Sequence, residues 1–179
     1  MVKVFNFEDN PNEFSANTYV IGKIGHDCLV VDIGSTKDDV LDYISSHYEK
    51  VGGVLLTHGH FDHASAAEEL AKEFGISIYI DEDDKETLED PEANVSYMMG
   101  ESKVFHADVF LKDEQELDLA GFHIRVLHTP GHTKGGCCYY FPYEDVLFSG
   151  DTLFCTSVGR TDFKGGSSSD LIRSIKEKL

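Results

Sequence analysis

The segment Thr57-His58-Gly59-His60-Phe61-Asp62-His63 constrains this chain more than any other. It follows a short apolar run, residues 53–56, that reads as a buried strand. It precedes residues 65–74, where Ala67, Leu70, Ala71 and Phe74 recur at i, i+3, i+4 and i+7, a helical stripe. Ser65 and Glu68 stand at capping-box spacing, and Gly75 can end the helix. The polar segment is therefore a strand-to-helix loop, where a rigid scaffold presents reactive groups. In extended backbone His58 and His60 point to the same side, and two imidazoles there can clamp one metal ion. Asp62 and His63 come as the chain turns into the helix and can address a second ion. Partly desolvated without a metal, these side chains would leave a carboxylate and three titratable rings seeking partners.

Two later segments join this loop. Thr129-Pro130-Gly131-His132-Thr133 places His132 in a tight turn after a strand over 123–127. Phe148-Ser149-Gly150-Asp151-Thr152 places Asp151 just past an apolar strand over 146–149. Alone, each reads as an ordinary turn residue. Their common setting at strand ends, after the His-rich loop, makes them candidate partners in one metal centre. Further strands are expected over 2–7, 17–21, 28–32, 77–80, 109–111, 115–119 and 136–141. Helices are expected over 38–48 and 169–179, the last with Leu171, Ile172, Ile175 and Leu179 inward. The acidic stretch 81–92 reads as a solvated helix or loop. Many short strands interrupted by a few helices imply two packed sheets with helices outside, an α/β layered fold.

Composition bounds the partners. At 179 residues and 41% apolar, the chain fits one domain with its own core. A net charge of −18 repels phosphate backbones and anionic membrane surfaces, so neither nucleic acid nor membrane is an expected partner. No apolar run approaches the roughly 18 residues of a membrane helix. The N-terminal residues lack the apolar core of a signal peptide. Cys28, Cys137, Cys138 and Cys155 form no C-x-x-C pair, and two are adjacent, which suits small buried hydrophobes in a reduced, cytoplasmic protein better than bridges.

The order H-x-H-x-D-H, then T-P-G-H-T, then S-G-D-T-L-F resembles the metallo-β-lactamase superfamily, most of all its glyoxalase II (hydroxyacylglutathione hydrolase) branch and short hydrolases similar to it. Val31-Asp32-Ile33-Gly34 resembles the family's early strand-end acid, and residues 157–163 resemble a segment of the short hydrolases. The resemblance runs from Ala16 to Leu179. It implies a four-layer αββα sandwich of two mixed β-sheets with flanking helices. It implies one metal on His58, His60 and His132, a second on Asp62 and His63, and Asp151 between them. Asp32 would support the loop without ligating. His26, His47, His106, His123 and His128 are expected to stand outside the centre.

The activity so implied is hydrolysis by a metal-bound hydroxide attacking a carbonyl, most of all a thioester. Asp62 and Asp151 are the candidate proton carriers, and the substrate would be a small molecule met by a monomer or weak homodimer. The donors suit Zn²⁺ at two sites, and also Fe or Mn. No ligand position carries Cys, unlike many two-zinc lactamases. The family's last His has no counterpart after His132, so the domain over 1–179 is expected to lack the last C-terminal segment and to fill its second site only in part. The glutathione-holding helical domain of glyoxalase II also has no counterpart, and Arg160 and Lys164 match its cationic contacts only loosely. An iron-dependent persulfide dioxygenase and a metal-binding domain of weak activity are the alternatives. A ribonuclease of the same superfamily is disfavoured by the charge.

Overall fold

Strands buried on both faces are rich in apolar residues on both sides of the pleat, and three runs in this chain are largely so. In the computed structural model, which describes residues 1–7, 16–34 and 36–179, these become β2 (Thr18–Lys23), β3 (Cys28–Val31) and β4 (Val51–Leu55). With β1 (Val2–Phe7), β5 (Ile78–Asp81) and β6 (Val109–Leu111) they form a six-stranded sheet in the order β1-β2-β3-β4-β5-β6. It is mixed: β1, β2 and β3 run antiparallel, while β3 to β6 run parallel.

The pleat sends alternate residues to opposite faces and so builds two cores. Val20, Cys28, Val30, Val54 and Ile80 face α1 (Lys37–His47) and α3 (Ala67–Phe74), against Val40, Ile44 and Leu70. Ile21, Leu29, Val31 and Leu55 face a second sheet, whose inner face supplies Phe122, Ile124, Val126, Tyr139, Phe141 and Phe148. That second sheet has the order β10-β9-β8-β7, from β7 (Glu116–Leu119), β8 (Phe122–His128), β9 (Cys137–Phe141) and β10 (Val146–Phe148). Its described pairings are all antiparallel, so only the first sheet is mixed as expected. Short reversals such as the one at Ala120–Gly121, both at positive φ, leave no room for a parallel crossover. α5 (Ser168–Lys178) closes the outer side, where Lys178 pairs with Asp113 and Glu114.

Several expectations change in detail. The helix expected over 65–74 is α3, which starts at Ala67 with Ala66 at its cap and no side-chain cap bond, and a separate short turn of helix, α2 (Phe61–Ala64), precedes it. Glu68 instead accepts from the backbone and ring of His106. A cap is worth about 1 kcal/mol and a fully buried Leu about 1.5–3 kcal/mol, so packing of Leu70 holds α3 without the box. Gly75 does end the helix, at φ 65°. On α5, Leu171 is buried, but Ile172 and Leu179 are 53% and 42% exposed. The position one turn beyond Leu171 is filled by Ser174, whose hydroxyl donates to the Pro130 carbonyl, so this face meets a turn rather than a core.

The acidic stretch is not simply solvated. It forms a turn at Glu82–Asp84 and α4 (Lys85–Glu89), and Asp81, Asp84, Thr87 and Leu88 are buried. Cys28, Cys137 and Cys138 are buried free thiols, and Cys155 is exposed. No helix among the described residues is long and apolar enough to cross a membrane.

Candidate metal centre

The two sheets are stitched together at the edge where the strand-end loops meet. The Cys137 N–H donates to the Thr57 carbonyl and the Tyr139 hydroxyl to the Leu56 carbonyl, at 2.8 Å each. This places the loop after β4 beside the turns flanking β9 and β10. His58, His60, His63 and His132 are all buried there. Asp62 and Asp151 lie beside them, their side chains 13% and 28% exposed.

Three ring nitrogens converge. His60 Nδ1 stands 3.1 Å from His58 Nε2 and 2.9 Å from His132 Nε2, although His60 and His132 are 72 residues apart. Asp151 Oδ2 is 3.4 Å from His132 Nε2. Four donors held at about 2.0–2.1 Å around one tetrahedral ion stand roughly 3.3–3.4 Å from each other, so this grouping has the dimensions of a single-ion site.

The outer hydrogen bonds decide which nitrogens face inward. Thr57 Oγ1 donates to Asp32 Oδ2 at 2.8 Å and so turns a lone pair toward His58 Nδ1, 3.1 Å away. The His132 Nδ1–H donates to the Arg160 carbonyl at 2.7 Å. Both contacts put the proton on Nδ1 and leave Nε2 bare toward the centre. His60 then faces two bare nitrogens with its Nδ1, and its buried Nε2 has no hydrogen-bond partner. A proton on His60 Nδ1 can serve these two acceptors only by being shared and leaves Nε2 without a donor, whereas a shared cation satisfies all three inward nitrogens. Burial first, and the neighbouring imidazoles second, hold His58 and His60 well below the ordinary histidine pKa, in the neutral form a ligand needs.

The other half is carboxylate-rich. His63 Nδ1 donates to Asp32 Oδ2 at 2.9 Å, while its Nε2 looks toward Asp151 Oδ1 at 3.4 Å and Asp62 Oδ2 at 3.7 Å. Burial disfavours a charge on His63, but Asp32, Asp62 and Asp151 outweigh it and lift its pKa well above the ordinary value. Burial lifts the carboxyl of Asp62. Asp151 is also penalised by burial, yet its contacts with His63 and the other imidazoles bring it down to about 2. A second cation would take the place of the proton on His63 Nε2.

Asp32 sits at φ 54°, in the left-handed region, and also accepts the Thr57 N–H at 2.7 Å. It supports the loop from behind. Gly131, at φ 137°, is required by packing: a Cβ there would lie 2.2 Å from the Leu171 nitrogen of α5. The Ser167 N–H donates to the Gly131 carbonyl, so the start of α5 presses the His132 turn into place.

The six expected residues thus come together. Of the other histidines, His47 contacts the Tyr43 carbonyl, His106 pairs with Glu68 and His123 with Asp118, while His26 is exposed. His128 lies 3.9 Å and 3.8 Å from Asp81 and Asp83, but its Nε2 is already 3.0 Å from the Lys134 carbonyl. Two contributors escaped the sequence reading. The Arg160 carbonyl has no side-chain signature, and the buried Asp84 is hidden among acidic neighbours. Arg160 itself forks onto Asp162 and lies over the Phe163 ring, and Lys164 pairs with Asp90 and Glu92.

Residues 11–179 match the family model of the metallo-beta-lactamase superfamily. The chain belongs to that superfamily. It is 37% identical over 167 residues to a probable metallo-hydrolase, YqgX, of Bacillus subtilis, covering 92% of this chain and 78% of the relative. It is 35% identical over 169 residues to the hydroxyacylglutathione hydrolase GloC of Haemophilus influenzae, covering 93% and 80%. Among solved structures, the BLEG-1 B3 metallo-beta-lactamase superposes with a TM-score of 0.89 at 32% identity, covering 99% of this chain and 85% of that one. The fold and the metallo-hydrolase class are those of the family. The centre assembled above lies at the sheet edge as a group of candidate metal-binding His and Asp residues.

Proposed function

We propose that this protein is a binuclear metallo-hydrolase that cleaves a carbonyl substrate, most of all a thioester. The observation that carries the reading is the convergence of His58 Nε2, His60 Nδ1 and His132 Nε2, with Asp151 turned to both halves. In this reading His58, His60 and His132 hold one ion, Asp62 and His63 the other, and Asp151 both. Bound metal supplies Lewis acidity and a water acidic enough to give hydroxide near neutral pH. Histidine and carboxylate donors suit Zn²⁺, Fe or Mn.

The chain's own groups do the rest. Asp151, ionised at any ordinary pH, holds the two halves at a set separation. Asp62, at the mouth of the centre beside His63, is the candidate to carry a proton to the leaving group. Substrate enters an open cavity of about 580 Å³ bordered by Asp62, His63 and Asp151, with Tyr19, Phe148, Leu153 and Phe154 on its walls. Support for a thioester comes from the relative whose name describes one, since hydroxyacylglutathione is a thioester. Glutathione itself is not favoured: Arg160 and Lys164 are paired with Asp162, Asp90 and Glu92.

The test is metal content per chain, with hydrolysis of a panel of thioesters, lactones and phosphodiesters. The reading expects two ions and thioester cleavage. Iron alone, with oxygen consumed and no hydrolysis, would replace it with a dioxygenase.

A further inference from the structure

We propose that Asp84 is a positioning residue for the metal centre, tying the loop that carries His58 and His60 to the turn that carries His132. The proposal rests on the reading of those three histidines as the holders of one ion.

Asp84 is fully buried. Its carboxylate accepts four hydrogen bonds, two on each oxygen. Oδ2 takes the Gly59 N–H at 2.7 Å and the Thr133 hydroxyl at 3.0 Å. Oδ1 takes the Gly135 N–H at 3.1 Å and the Thr87 hydroxyl at 2.7 Å. Gly59 lies between His58 and His60, and Thr133 follows His132. One oxygen atom therefore joins the two chain segments whose histidines must meet. Gly135 lets the chain approach: a Cβ there would stand 2.2 Å from the Asp84 nitrogen.

Other bonds bring the two segments near each other, from Cys137 to Thr57 and from Ser167 to Gly131, but Asp84 is bonded directly to the residues next to the histidines. Gly59 and Gly135 lie outside the strands, so their buried N–H groups have no ladder partner and would be unpaired without an acceptor. An ionised carboxylate offers about four acceptor sites and matches four donors without a remainder. Asparagine cannot, because its amide end would face donors. Histidines that meet across 72 residues need their backbones held, and the partners that orient metal ligands typically change metal affinity or activity by about 10–100-fold when lost.

Two isosteric variants separate positioning from general stability. Thr87→Val and Thr133→Val each delete one hydroxyl donor to Asp84, but only Thr133 belongs to a ligand-bearing turn. The measurements are zinc affinity by chelator competition, the visible spectrum of the cobalt-loaded protein, and the unfolding midpoint of the metal-free protein. Thr133→Val and Asp84→Asn should weaken the tighter zinc site by roughly 10–100-fold and alter the cobalt spectrum. Thr87→Val should lower the unfolding midpoint about as much as Thr133→Val while leaving the spectrum as in the parent. Equal loss of zinc affinity in the two threonine variants, or an unchanged affinity in Asp84→Asn, would overturn the role of Asp84. Should Asp84→Asn fail to fold, the threonine pair decides. A parent protein that takes up neither zinc nor cobalt would overturn the metal reading itself, and the tie with it.

Discussion

The two halves of the centre are made of opposite kinds of polar group. His58 and His60, held neutral by burial, meet His132 with one ring nitrogen of each turned inward, all within about the span of one ion. Asp62, His63 and Asp151 meet as a cation among carboxylates, and in the metal-free protein a proton on His63 satisfies them. The first half is electrostatically incomplete without a metal. The second is nearly complete, because His63 bonds Asp32 on one side and faces two acids on the other. A cation thus fills a deficit in one half and must displace a proton from the other. The difference also separates two kinds of support: Asp32 stands behind His63 and Thr57, whereas Asp84 accepts from the Gly59 N–H and the Thr133 hydroxyl of the all-histidine half.

The sharpest break would come at the residue the halves share. Asp151→Ala should abolish hydrolysis and release at least one ion, measured by turnover and metal content together. Activity close to the parent would mean that the halves do not depend on a common ligand. Next in size, Asp32→Ala should cost roughly 10–100-fold, since it only orients Thr57 and His63. If both variants lost metal equally, the division between ligand and support would be wrong.

A smaller effect is the order of filling. Titrating metal-free protein with zinc should give two steps, the histidine half first, followed through cobalt spectra or calorimetry. Two sites of equal affinity would erase the contrast between neutral rings and a protonated pair.

The smallest effect is on stability against pH. His63 is raised in the folded state, so its contribution is fully present below the ordinary histidine pKa of about 6.5 and is lost as pH rises through the raised value. His58 and His60, held low, act in the opposite sense as pH rises through about 6.5, so His63 should add a downward slope to the unfolding midpoint of metal-free protein from pH 6 to pH 9. His63→Gln should flatten that slope. An equal slope in the variant would assign the pH dependence to the overall acidic charge instead.

What the sequence determined by itself is local. Asp62 and His63 fall on a helical turn as expected and His60 before them is extended, but Thr57 and His58 lie in a bend, so the two histidines meet without the alternation of a strand. The burial of β4 was legible because a short continuous apolar run has few other uses in a domain this size, whereas β2 and β3 read only as strands. Motif order, through family resemblance, added His132 and Asp151.

What only the tertiary structure decided is every relation between segments distant in the chain. Ser65 and Glu68 have capping-box spacing, but His106 competes for Glu68 from 38 residues away. Ile172 has the spacing of a buried residue, yet the neighbour on offer to α5 is a turn, not a core. Asp84 lies in an acidic run whose composition describes a solvated surface. It is buried because Gly59, Thr133 and Gly135 bring it donors from 25 to 51 residues away. Hydrogen bonds form between atoms that the fold makes neighbours, and a sequence shows the atoms without the neighbours.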